Sequence, residues 1–99
     1  MKLWIDDVRV APDGYTWCKS VNQAISVIED LENKNINIEL IHLDHDAGDY
    51  AYDGGDYIKI LDWLEFTGRK YPIGIHSMNV VGVANMRRII QKNGWVEIR

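Results

Sequence analysis

The sequence predicts an α/β protein, a three-layer α/β/α sandwich built on a mainly parallel sheet. Three observations carry this. Short apolar runs alternate with helix-length segments whose apolar residues recur every three or four positions. Residues of hydrophobic type make up 46% of a 99-residue chain, enough for one core and too few residues for two domains. Several of the apolar runs stop abruptly against charged or polar residues, as strands do when they deliver functional groups to one edge of a parallel sheet. Residues 1–99 are therefore read as a single domain.

Leu3-Trp4-Ile5 is a strand halted by Asp6-Asp7, and Ala11-Pro12-Asp13-Gly14 supplies turn chemistry before a second strand, Tyr15-Thr16-Trp17-Cys18. Ser20 followed three residues later by Gln23 fits a capping box. A helix then buries Val21, Ala24, Ile25, Ile28 and Leu31 and breaks at Asn33-Lys34-Asn35. Ile38 to Leu43 is a third strand, apolar enough to be covered on both faces. Residues Asp44 to Asp56 hold five aspartates and three glycines and read as a surface loop. Tyr57, Ile58, Leu61 and Leu64 mark a second helix closed by Gly68, and Ile73 to His76 a fourth strand. Val83, Met86, Ile89 and Ile90 define a third helix stopped by Gly94, and Trp95 to Ile98 the last strand.

Composition excludes several classes. The net charge of −4 argues against a general nucleic-acid coat, and no apolar run approaches a bilayer span. A soluble cytoplasmic protein is expected, with no membrane partner, and the single Cys18 suits a reducing compartment. The charge is uneven: residues 1–58 hold four basic and twelve acidic side chains, residues 59–99 seven and three. An acidic half suited to a cation thus faces a basic half suited to an anion.

Right-handed crossovers bring the carboxyl ends of parallel strands to one edge, so Asp6, Asp7, Asp44, His45, Asp46, Ser77 and Asn79 are expected to meet in one crevice. Carboxylates crowded in this way repel unless a cation neutralises them, and hard oxygen donors favour Mg²⁺ or Mn²⁺, which bridge readily to phosphate oxygens. Asp6, Asp7, Asp44 and Asp46 are the candidate metal ligands. Each aspartate alone also suits a turn or loop cap. An EF-hand is excluded, because the twelfth position from Asp44 is Gly55 where a bidentate Glu is required. His45 between two aspartates and His76 at the fourth strand's end are candidate acid/base groups, each with a purely structural role as the rival reading. His42, inside an apolar strand, is read as a packed histidine without a role. Ser77 lacks a nucleophile elbow and suits a phosphate contact. Asn79 to Gly82 lead into a helix N-terminus that could face an anion, with Asn79 also a plain N-cap, and Arg9 could clamp a phosphate. Arg87 and Arg88 read as a solvated face.

These motifs together resemble the cyclic-phosphate-processing receiver domains, a branch of the receiver domains of two-component response regulators. The resemblance rests on Leu3-Trp4-Ile5-Asp6-Asp7 with Arg9, Pro12-Asp13-Gly14, Leu43-Asp44-His45-Asp46 with Gly48, Gly55-Asp56, and His76-Ser77 with Asn79 and Gly82, over nearly the whole chain. It implies a compact flavodoxin-like receiver fold. It also implies an acidic metal pocket from Asp6 and Asp7, Asp44 in the place of the phospho-accepting aspartate, and Ser77 in that of the receiver's hydroxyl residue. Action on cyclic phosphates of nucleotides or RNA ends follows from it, with His45 and His76 supplying acid/base chemistry. The sequence departs from the family at Ala47, where Leu is usual, and at Val80, where Pro is usual; the receiver lysine has no obvious counterpart at the end of the expected fifth strand. The activity expected is a metal-dependent phosphoesterase. A phospho-accepting receiver and a non-catalytic binder of a cyclic nucleotide or other phosphorylated signal are the alternatives.

Overall fold

The computed structural model describes all 99 residues. Five strands, β1 (Lys2–Ile5), β2 (Tyr15–Cys18), β3 (Leu40–Leu43), β4 (Ile73–Ile75) and β5 (Glu97–Ile98), form one sheet in the order β2-β1-β3-β4-β5 with every pairing parallel. This is the flavodoxin-like order, with its switch point between β1 and β3. Three helices connect the strands: α1 (Val21–Asn33), α2 (Ile58–Thr67) and α3 (Val80–Asn93). The α/β class, the parallel sheet and the receiver-like order are as the sequence predicts. No helix is long and apolar enough to cross a membrane.

The helix ends follow the sequence signals. Ser20 Oγ accepts from the Gln23 N–H at 3.0 Å, while Gln23 Oε1 accepts from the Lys19 N–H, so the box is displaced by one residue at its return contact. Gly68 and Gly94 close α2 and α3 in the left-handed conformation.

The layering differs from the expected sandwich. From β2 to β3, β3 to β4 and β4 to β5 the chain advances in the same direction across the sheet, so right-handed crossovers put all three helices on one face. Side-chain parity agrees. Leu3, Ile5, Ile41, Leu43 and Ile73 are fully buried and join α1, α2 and α3 residues in one core of 19 residues. Trp4, Trp17 and His42, pointing to the other face, are only partly buried. Only the step from β1 to β2 runs backwards, so residues 6–14 alone cross the second face. Trp4 Nε1 donates to the Arg9 carbonyl at 2.9 Å, and an Arg9 Nη donates to the His76 carbonyl at 2.9 Å, which fastens that strap. The loop after β3 also differs from a purely surface segment: it holds a 3₁₀ turn, Gly48–Tyr50, and buries Ala47 completely in the core. Cys18 is buried too, and burial pushes its thiol up to about 11, which leaves it inert.

Away from the strand ends, Arg69 joins α1 to the segment after α2. Its Nε and Nη2 donate to Glu32 at 3.0 and 2.9 Å, and Tyr71 donates to the same carboxylate. The Arg69 guanidinium holds Glu32 below its ordinary value. A depressed carboxylate stabilises the fold above its unfolded pKa and loses that contribution as pH falls through the lower, folded value. Glu32→Gln is therefore expected to destabilise the protein by about 1 kcal/mol at pH 7, the pair being partly exposed. Urea titrations at pH 7 and below pH 4 check this, since the gap between variant and parent should shrink in acid.

Candidate functional site

The carboxyl ends of β1 and β3 lie beside each other at the switch point, and Asp6, Asp7 and Asp44 extend them. One carboxylate oxygen from each lies within 4.8 Å of the others. Asp6 is fully buried, and its Oδ1 accepts from the N–H groups of Val8 and Arg9, both at 3.0 Å. Burial works to raise its pKa, but those two N–H groups, with His76, outweigh it and hold Asp6 below the usual carboxylate range. Asp7 goes the other way: burial, with Asp6 and Asp44 beside it, pushes it up. Gly48, at φ +55°, passes so close to Asp7 that any Cβ there would overlap the carboxylate. Three hard oxygen donors this close together suit a divalent cation such as Mg²⁺ or Mn²⁺.

Asp46 does not join them. It belongs to a second group with His45 and Asp56, where His45 Nδ1 meets Asp46 Oδ1 at 2.9 Å and Asn79 Nδ2 donates to Asp46 at 3.2 Å. Asp56 accepts from the Ala47 N–H at 2.9 Å and shapes the loop that carries both residues. Nδ1 of His45 is turned to the Asp46 carboxylate, and Nε2 makes no hydrogen bond within the chain. Its ring lies against α3 at Gly82, where a Cβ would stand 2.5 Å from His45 Cδ2. Gly82 thus makes room for an imidazole. Its own N–H is taken by Asn79 Oδ1 at 2.9 Å, the N-cap of α3.

His76 is engaged through both ring nitrogens. Nε2 meets Asp6 Oδ2 at 2.9 Å and Nδ1 meets His42 Nδ1 at 2.7 Å. Burial lowers the pKa of both histidines, so both are neutral at pH 7. One tautomer pair then satisfies every contact: His42 Nδ1–H donates to His76 Nδ1, and His76 Nε2–H donates to Asp6. The Trp4 ring stacks on His76 at 3.7 Å between centroids, and Gly74 leaves space for the His42 ring, whose Cδ2 lies 2.5 Å from a Cβ built there. His76 positions Asp6, and His42, given no role by the sequence, positions His76.

Ser77 Oγ accepts from the Asn79 N–H at 3.1 Å and sits at the rim of a cavity of about 450 Å³ lined by Ser77, Val80, Val83, Ala84 and Arg87. Arg87 is thus no merely solvated residue: Nε donates to Glu97 at 2.9 Å and the side chain faces that cavity. Val83, expected in the core, lines the cavity instead. Arg9 lies across the strap, over the His76 carbonyl.

Fold order and site geometry define the class as a receiver-type domain, an acidic cluster at the β1/β3 switch point with a hydroxyl residue after β4. The family model of the cyclic-phosphate processing Receiver domain matches residues 1–92, and the chain belongs to that family. Comparison with the curated proteins gave no match, nor did comparison with the solved structures.

Proposed function

We propose that this domain is a metal-dependent phosphoesterase that opens cyclic phosphates of nucleotides or RNA ends by hydrolysis. The observation that carries the reading is the convergence of Asp6, Asp7 and Asp44 within 4.8 Å at the switch point. These three would hold Mg²⁺ or Mn²⁺, which when bound neutralises phosphate charge and polarises its oxygens. Asp46 instead orients His45. Through Nε2, the ring nitrogen left free by Asp46, His45 takes a proton from water as the water oxygen forms its bond to phosphorus, and returns it to the ring oxygen as that P–O bond breaks. The product is a phosphomonoester. Both nitrogens of His76 are occupied, so it serves the reaction by fixing Asp6, not by transferring a proton. Arg9, Ser77 and Asn79 border the site, and the hydroxyl and free guanidinium N–H groups suit phosphate oxygens.

The test is chromatography of 2′,3′-cyclic, 3′,5′-cyclic and cyclic di- and oligonucleotide phosphates incubated with protein and Mg²⁺ or Mn²⁺. One class should open, with His45→Ala slower by about 10²–10⁴-fold. Every substrate surviving intact beside metal-loaded protein would refute the reading.

A further inference from the structure

The cavity beside Ser77 is not needed for hydrolysis of a cyclic phosphate, yet it opens from the residue that borders the site. It is an open groove whose apolar lining is Val80, Val83 and Ala84, successive positions on one stripe of α3, with Ser77 and Arg87 as its polar groups. At about 450 Å³ it is large enough for a ring system. A second phosphate would want several converging donors, and here there is one arginine whose charge Glu97 already offsets through Nε at 2.9 Å. The Nη groups make no hydrogen bond within the chain. An open apolar groove lined by an arginine whose two Nη groups are free is complementary to a planar base with two adjacent acceptors. Guanine presents such a pair in O6 and N7, whereas adenine places a donor beside N7.

We propose that this cavity is a nucleobase subsite, and that Arg87 selects guanine for a nucleotide whose phosphate lies at the Asp6-Asp7-Asp44 edge. The placement of the phosphate rests on the function proposed above; the base pocket does not. Arg87 Nη1 and Nη2 donate to the guanine edge while the valines cover the ring, and the ribose spans the distance past Ser77. Because Glu97 fixes Nε, the planar fork is held ready, which a flexible ammonium would not reproduce.

The experiment uses methyl-labelled protein carrying Asp44→Asn, so that no ligand is consumed, titrated with guanosine and adenosine 2′,3′-cyclic phosphates and with guanosine itself. Expected are shifts of the Val80 and Val83 methyl signals, with guanine bound roughly tenfold or more tightly than adenine. That preference should vanish in Arg87→Lys as well as Arg87→Ala, the former guarding against a misfolded variant. Unmoved valine signals, equal binding of both bases, or a preference surviving Arg87→Lys would overturn the proposal. In the parent protein the two readings separate. Valine shifts without any cleavage keep the subsite and remove the hydrolase, whereas cleavage without shifts or base preference does the reverse.

Discussion

Asp44→Asn is expected to abolish stabilisation by divalent cations while leaving the metal-free protein as stable as its parent or more so. The carboxylate it removes stands beside Asp6 and the partly buried Asp7, and adds with Asp6 to the desolvation that pushes the Asp7 carboxyl up. Replacing one charge by an isosteric amide relieves that repulsion. Binding to the native state at a hundredfold excess over Kd stabilises a protein by about 2.7 kcal/mol. For a domain of this size that raises the melting temperature by roughly 10 °C. Thermal melts with and without Mg²⁺ or Mn²⁺ should therefore show the rise in the parent and little or none in Asp44→Asn. Equal rises in both would remove Asp44 from the cation site.

Gly82→Ala should cost nearly as much activity as deleting the His45 side chain, about 10²–10⁴-fold, in a protein that still folds. A methyl group at Gly82 would stand 2.5 Å from His45 Cδ2, too near for two carbons, and the backbone of α3 has less room to yield than the ring. Helix propensity favours alanine by about 1 kcal/mol, while overpacking costs about 1–3 kcal/mol, so the net loss of stability is small. Far-UV dichroism should be unchanged and the His45 ring displaced from Asp46 and Asn79. Full activity in Gly82→Ala would show that the seat of this imidazole is irrelevant to the reaction.

Much of this architecture was legible in the chain. Apolar runs gave all five strands, helical spacing gave three helices, and Gly68 and Gly94 marked two of their ends. The layering was hidden because Trp4 and His42 count as apolar neighbours in a short run, although they alternate out of phase with Leu3, Ile5, Ile41 and Leu43. That parity, joined to the common direction of the three crossovers, is the signal that places the helices on one face. The acidic edge was legible as well, since aspartates follow β1 and β3 directly. Its division was not: Asp46 and Asp44 are two residues apart, but Asp46 turns to His45 and to Asn79, 33 residues further on. The His42–His76 contact joins residues 34 apart in sequence, and no local pattern announces it. Arg87 sits on the stripe Val80, Val83, Ala84, offset from the buried stripe Gly82, Met86, Ile90; that offset distinguishes a cavity wall from a solvated face.

The most direct measurement of the central claim is phosphorus NMR of a nucleoside 2′,3′-cyclic phosphate incubated with protein and Mg²⁺ in ¹⁸O-enriched water. The account predicts that the cyclic resonance gives way to a phosphomonoester shifted by one ¹⁸O, with Asp44→Asn leaving the cyclic compound in place. A cyclic resonance that persists beside protein shown by its melting temperature to be metal-loaded would contradict it, as would phosphorus accumulating on Asp44 without a labelled monoester.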